Sequence, residues 1–232
     1  MKLGILGGMG PLATCTFYKM IIDMTYANCD QEHIDLMILS HASMPDRTNV
    51  IVNNLDENII IEATKKDIEL FEKAGVDNIV VTCNTFHHFI DEFKKNTSIN
   101  VINMIEEAVK EVLKTFGENA NIYVLGTDGT NLSGIYKKYA TKYNLNFLDI
   151  PEEIQKNIME IIYEVKATNI TKSLKFENLL NTLRALKTDS IFILACTELS
   201  CLEIPKEFQE KTLDAMKILA KCAIVKSGYK LK

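Results

Sequence analysis

Asn78-Ile-Val-Val-Thr-Cys-Asn-Thr85 and Ile191-Phe-Ile-Leu-Ala-Cys-Thr-Glu198 decide how this chain is read. Each opens with a short apolar run rich in β-branched or aromatic residues, the pattern of a buried strand. Each run ends on a cysteine followed by a small polar residue. Cys83 and Cys196 therefore fall at the carboxyl ends of strands, where α/β proteins place their ligands. The residues just after each cysteine have the character of a first helical turn, whose free N–H groups and positive dipole end favour a thiolate over a thiol. Two thiols prepared alike in the two halves of one chain suggest acid–base partners facing one substrate.

Outward from these two runs, strand and helix signals alternate, as in a parallel α/β sheet. Leu3–Leu6 is expected as a strand, and Gly7-Gly-Met-Gly-Pro11 turns the chain into a helix near Ala13–Asn28, with Pro11 suited to a first helical position. A strand over His33–Ser40, a polar loop over His41–Asn54 and a helix at about Asn58–Ala74 lead into the first cysteine strand. A helix over about Met104–Phe116 stops at Gly117. A second series then begins at Ile122–Leu125. It has a Gly126-Thr-Asp-Gly129 turn, a helix near Asn131–Tyr143, a strand over Asn146–Asp149 and helices over Glu152–Ala167 and from Ser173 to about Leu186. The second cysteine strand comes next, and an amphipathic helix over about Leu213–Lys226 closes the chain. The first glycines of the two turns lie 119 residues apart and the two cysteines 113 apart. The recurrence predicts two similar α/β domains, each a mostly parallel sheet flanked by helices. A pseudo-twofold axis would relate them, with the active site in the cleft between. Residues 1–100 with 207–232 form the first expected domain, and 101–206 the second.

The bulk numbers bound the partners. With 232 residues, 47% hydrophobic and 25% charged, the chain has the size and composition of a soluble globular protein of one large or two compact domains. A formal charge of −5 argues against a nucleic-acid surface, which needs clustered Lys and Arg. Six cysteines show no CxxC pair, and no signal peptide is evident, so reduced thiols of a cytoplasmic protein are expected. No stretch approaches the ~20 apolar residues of a membrane span.

Six segments carry a likeness to a known family: Gly7-Gly-Met-Gly-Pro-Leu-Ala13, Pro45-Asp-Arg-Thr48, Thr82-Cys-Asn-Thr85 with His87, Leu125-Gly-Thr127 with Thr130, Glu164-Val-Lys166, and Cys196-Thr-Glu198. In that order, across nearly the whole length, the chain resembles the cofactor-independent aspartate/glutamate racemases, most closely the aspartate racemases. The resemblance implies a two-domain protein, usually a homodimer, that inverts the α-carbon of a small acidic amino acid without pyridoxal phosphate. It also implies Cys83 and Cys196 as the two bases, and Arg47 and Lys166 as binders of the substrate carboxylates. Ala195 departs from the family's usual glycine before the second cysteine, which would narrow the backbone room near the site.

Racemisation removes a proton from one face of Cα and returns one to the other, so a base and an acid on opposite faces suffice. One sulfur starts as thiolate and the other as thiol. Asn84, Thr85, Thr197 and Glu198 come directly after the sulfurs, and their backbone N–H groups and polar side chains can cradle a carboxylate whose charge grows in the transition state. Met9 and Gly10 of the first glycine turn and Thr127 of the second are expected beside them as further substrate-binding residues, the first turn shaping the cleft and receiving a small carboxylate. Spacing alone leaves other readings open. Arg47 could be a solvated surface residue, Lys166 could serve the dipole of its helix end, and Glu198 could have a purely structural place. His87 could act on the Cys83 thiol or merely cap a helix; no further ligands are spaced to make it a metal site, and none is expected. Cys15, Cys29, Cys201 and Cys222 read as small hydrophobes.

Gly8-x-Gly10-x-x-Ala13 also fits a dinucleotide fingerprint, but the next strand ends Leu39-Ser40-His41, without the acidic residue that would hold a ribose. A glutamate or broad-specificity amino-acid racemase, other isomerases that use paired cysteines, such as maleate isomerase or hydantoin racemase, and a two-lobed dicarboxylate-binding protein remain as alternatives to an aspartate racemase.

Overall fold

Buried parallel strands are apolar along their whole length because helices cover both faces, and the chain folds on that principle twice. The computed structural model describes residues 1–186 and 189–232. Among these residues the first sheet contains β1 (Leu3–Gly7), β2 (Leu36–Ser40), β3 (Asn78–Val81) and β4 (Asn100–Ile102), all parallel, in the order β2-β1-β3-β4. The second contains β5 (Asn121–Gly126), β6 (Asn146–Leu148), β7 (Ser190–Ala195) and β8 (Thr212–Asp214), and repeats that order as β6-β5-β7-β8. The two-lobed parallel α/β fold expected from the recurrence is thus present. The strand pairing departs from the expected division of the chain: residues 101–102, expected in the second domain, pair within the first sheet, and Thr212–Asp214, expected in the first, completes the second.

Helices α1 (Pro11–Met24), α2 (Arg47–Val52), α3 (Asn58–Lys73), α4 (Ile90–Lys95) and α5 (Met104–Phe116) accompany the first sheet. With the second come α6 (Asp128–Leu132), α7 (Ile135–Lys142), α8 (Glu152–Thr168) and α9 (Leu174–Leu186), while α10 (Ala215–Lys226), expected in the first domain, packs on α1 and α5 and against strands of both sheets, between the lobes. One hydrophobic core runs between the sheets, joining Leu3 and Ile5 of β1 and Ile122 and Val124 of β5 through Phe17, Ile105 and Leu219 of α1, α5 and α10. Separate clusters fill the outer side of each lobe.

Several elements differ from the sequence expectation for local reasons. The second strand starts at Leu36 rather than His33, because Asp30–Glu32 form a 3-10 turn closed by the His33 N–H on the Asp30 carbonyl. The first helix stops at Met24, where the Thr25 hydroxyl caps the Ile21 carbonyl and the Thr25 backbone bridges to Leu231. The segment expected as a polar loop over 41–54 contains α2, N-capped by the Asp46 carboxylate on the Asn49 N–H at 2.7 Å. The single helix expected near Asn131–Tyr143 is two, α6 and α7, separated at Gly134. Leu213 lies in β8, so the last helix begins at Ala215. Three-residue strands such as β4 and β8 are too short for a period-2 signal to register. No helix among the described residues is long and apolar enough to cross a membrane.

The lobes meet closely where α2 packs on α6. A Cβ on Gly129 would stand 2.8 Å from Thr48 Cα and 3.0 Å from Thr85 Cγ2, so only a residue without a side chain admits this approach. Gly129→Ala should therefore cost roughly 1–3 kcal/mol, the usual range for an overpacked interior site. The loss would appear as a lower urea midpoint; an unchanged midpoint would mean that the lobes give way freely here.

Candidate active site

The central strands of each sheet aim their carboxyl ends at the other lobe. Cys83 and Cys196 stand just beyond β3 and β7, each 5% exposed. Both line a single cavity of about 10 Å³, closed to little more than the space of a water molecule. Met9, Arg47, Asn84, Thr85, Thr127, Lys166, Thr197 and Glu198 line the same cavity. Of the expected residues only Gly10 stands back from it, in an adjoining cleft of about 260 Å³ that shares Met9, Arg47, Lys166 and Glu198 as its inner wall.

Hydroxyls tie the lobes together at this point. Thr85 Oγ1 of the first lobe lies 2.9 Å from Thr127 Oγ1 and 3.0 Å from Thr130 Oγ1 of the second, and these two are 3.1 Å apart. Thr130 is not among the expected site residues, although it lies within a segment that carries the family likeness. Thr197 reaches back across the lobes, its hydroxyl donating to the Thr82 carbonyl at 3.5 Å.

Two cations face the cavity. Arg47 is the first residue of α2 and is 8% exposed, which excludes the solvated surface reading. Its Nη1 donates to the Met44 and Pro45 carbonyls at 3.1 and 2.9 Å, while its buried Nε has no partner. Lys166, in the last turn of α8, lies 3.8 Å from Glu198 Oε1. Burial works against the Lys166 ammonium, but the Glu198 carboxylate and the two nearby sulfurs together hold its pKa above the ordinary lysine value.

The two sulfurs are not equivalent. The Cys196 thiol donates to Glu198 Oε2 at 2.9 Å. Burial, and then the Glu198 charge, push its pKa well above the usual thiol range. The expectation that a helical N-terminus would favour a thiolate thus fails at Cys196. Only a three-residue 3-10 turn, Leu199–Cys201, lies beyond it, too short to build a dipole that offsets a neighbouring carboxylate. After Cys83 the chain likewise enters a 3-10 turn, Thr85–Phe89, before α4.

His87 takes its capping reading. Its Nδ1–H donates to the Cys83 carbonyl at 2.8 Å and its Nε2 accepts the Met104 N–H at 3.1 Å, so it spans the cysteine loop and the start of α5 without facing the sulfur. Ala195 is fully buried in the core and lines neither cavity, so its methyl does not narrow the site. In the glycine turn the Gly8 N–H is taken by the Thr14 hydroxyl at 2.9 Å and is not free to face a pyrophosphate. Asp46 and Thr48 also line the cavity, and Tyr136 reaches Asn84 from α7. Nothing in the spacing marks Tyr136, which has the pattern of an ordinary buried aromatic residue on an amphipathic helix.

The two-lobed parallel fold is that of the racemases, isomerases of stereocentres. The chain belongs to the Asp/Glu/Hydantoin racemase family, whose model matches residues 6–223. It is similar to Picrophilus torridus aspartate racemase, with a TM-score of 0.84 and 31% identity, covering 100% of this chain and 96% of that one. The Broad specificity amino-acid racemase RacX of Bacillus subtilis (strain 168) is 28% identical over 228 residues, 96% of each chain. Glutamate racemase from Campylobacter jejuni subsp. jejuni shares the fold at a TM-score of 0.66 and 18% identity, covering 100% of this chain and 88% of that one.

The titrating groups have two measurable consequences. Burial lowers the His87 pKa from 6.5 to about 4, so between those values the unfolded chain takes up a proton that the folded chain refuses. The stabilisation is complete above pH 6.5 and is lost as pH falls toward 4, by roughly 3 kcal/mol. Urea midpoints at pH 7 and pH 4.5 should fall more in the wild type than in His87→Gln; equal falls would remove His87 from the acid response. Glu198→Gln removes the charge beside Cys196, so alkylation of that thiol should move to lower pH, read peptide by peptide in a mass spectrometer. An unmoved profile would show that the carboxylate does not hold the proton on Cys196.

Proposed function

We propose that this protein interconverts L- and D-aspartate by a two-base mechanism that needs no pyridoxal phosphate, with Cys83 and Cys196 as the acid–base pair. The observation that carries this reading is a single closed cavity lined by one cysteine from each lobe, two cations, and three buried polar atoms without hydrogen-bond partners. Those atoms are Arg47 Nε, Asn84 Nδ2 and Glu198 Oε1. Two of them are donors and suit carboxylate oxygens; the third is an acceptor and suits an ammonium group. With Lys166, the set complements a zwitterionic amino acid that bears a second carboxylate.

In the proposed reaction Cys83 starts as the thiolate and takes the α-proton, while the Cys196 thiol, held by Glu198, gives its proton to the opposite face. Electron density left on Cα moves into the α-carboxylate, where Arg47, Lys166 and Asn84 oppose the added charge. Donors of this kind, placed in advance, contribute roughly 3–4 kcal/mol each when removed from other enzymes. After one turnover the sulfurs have exchanged roles, and the enantiomer just formed meets the base it needs for return. The substrate is larger than the closed cavity, so binding requires the lobes or the α2 segment to part and reclose, as lids do in many enzymes.

A second reading, a racemase of broader range, is favoured by the 260 Å³ cleft beside the site and its apolar residues Leu12, Met44 and Val165. A longer side chain would extend there, and one methylene changes selectivity by only about 1–3 kcal/mol.

Purified protein incubated with L-aspartate in heavy water should lose optical activity while gaining deuterium at Cα. Cys83→Ala and Cys196→Ala should each lower racemisation by about 10²- to 10⁴-fold, the usual worth of a positioned acid or base, with the fold intact. Retained racemisation in either variant would remove that cysteine from the mechanism. Turnover of glutamate or apolar amino acids, but not aspartate, across a panel of both enantiomers would replace the aspartate reading with the broader one.

A further inference from the structure

Asn84 directly follows Cys83, is 2% exposed, and lines the closed cavity. Its two amide ends have different fates. Oδ1 accepts the Tyr136 hydroxyl at 2.7 Å, and Nδ2 is buried with no partner. Tyr136 comes from α7 of the opposite lobe and is 1% exposed. Burial, with Asp214 and Cys196 nearby, pushes its phenol pKa well above the ordinary value, and its hydroxyl donates to the amide.

A primary amide has one accepting and one donating end, and a half-turn about its last bond exchanges them. Left alone, Asn84 could present either end to the cavity. Its carbonyl would repel a substrate carboxylate; its NH₂ group binds one. A hydroxyl can donate or accept; here Tyr136 gives its one proton to the carbonyl, and the NH₂ is left as the unpartnered end of a residue that lines the cavity.

We propose that Tyr136 is a positioning residue for the reaction: across the lobe boundary it fixes the Asn84 amide with its NH₂ toward the substrate carboxylate beside Cys83. This rests on the racemase reading above. The donor so fixed is most useful when the α-proton leaves, because the carboxylate then gains charge. Tyr136 touches neither substrate nor sulfur in this role; it acts only through Asn84. Because its hydroxyl comes from the second lobe, the amide is set only when the lobes are closed, which ties substrate recognition to the closed form.

Tyr136→Phe tests the role with little change in volume. The kcat for aspartate should fall about tenfold with KM changed by less than about twofold, the pattern of an interaction strongest in the transition state. In an Asn84→Ala background the same substitution should have no further effect on kcat, since the residue through which it acts is gone. A merely structural tyrosine would lower stability in both backgrounds and give additive losses. A second measurement needs no turnover. The Asn84 side-chain NH₂ signal in a nitrogen-15 NMR spectrum, assigned by its loss in Asn84→Ala, should shift and broaden in Tyr136→Phe. An unchanged signal with unchanged kcat, or additive kinetic losses, would overturn the proposal while leaving the racemase reading in place. A signal that responds in Tyr136→Phe, while the wild-type protein racemises no amino acid, would remove that reading and retain the control of the amide by Tyr136.

Discussion

Closure of the two lobes on one another is the constraint on which the site depends, and three threonine hydroxyls record it. Thr85 belongs to the first lobe and Thr127 and Thr130 to the second, and each lies within 3.1 Å of the other two. A buried hydroxyl without a partner costs on the order of 1–3 kcal/mol, so these groups are satisfied together or not at all. The same closure brings the carboxyl ends of β3 and β7 face to face and shuts the cavity between Cys83 and Cys196 to about 10 Å³. Excluding water in this way strengthens every charge interaction within the cavity. Packing and chemistry are therefore set by one event.

The matching topology of the lobes makes the differences between them informative. Position two after the first cysteine is Thr85; position two after the second is Glu198. Thr85 joins the hydroxyl cluster that holds the lobes, whereas Glu198 accepts the Cys196 thiol and pairs with Lys166. The two lobes thus present sulfurs from equivalent strand ends, and a difference two residues further on places a carboxylate against one of them, Cys196. The proposed reaction needs the pair to hold one proton at rest, because two thiolates or two thiols could not begin it, and the carboxylate beside Cys196 favours that sulfur as the one that keeps it.

Much of this is legible in the residues. The cysteine strands, the order of elements and the glycine turns are set by apolar runs and by residues with strong local preferences, and these need no tertiary context. The expected residues at strand ends and in the turns after them also gather together, because sheet topology places them, whereas Arg47 and Lys166 are expected at the site only through the family resemblance. The features hidden from the sequence depend on partners far along the chain. The short helix carrying Arg47 is held by its Asp46 cap and by α6 of the other lobe, and its six residues give no clear period. The burial of Arg47 against the Met44 and Pro45 carbonyls has no local signature. At Cys196 the turn after the sulfur points toward a thiolate, and the carboxylate two residues on outweighs it only because folding brings the two side chains into contact. Tyr136 is hidden for a similar reason, since its hydroxyl finds Asn84 52 residues away.

The inequality of the sulfurs has a limit set by thermodynamics. Enantiomers have equal free energy in water, so the equilibrium constant of racemisation is one and kcat/KM must be the same in both directions. Raising the proton affinity of Cys196 therefore cannot favour one enantiomer in kcat/KM. It can only redistribute the cost between binding and turnover, giving one enantiomer a lower KM and a lower kcat than the other. Under the proposed mechanism Glu198 fixes which protonation form waits for substrate, and Lys166 moderates the choice through its attraction to that carboxylate and to both sulfurs. A stronger bias would leave the returning form, with thiolate at Cys196 beside a carboxylate, too costly to reach in each cycle. A weaker one would leave the resting protons unassigned. Under the same mechanism the 3.8 Å separation of Lys166 from Glu198, longer than a tight ion pair, would let the cation turn toward an arriving carboxylate while still tempering the charge beside Cys196.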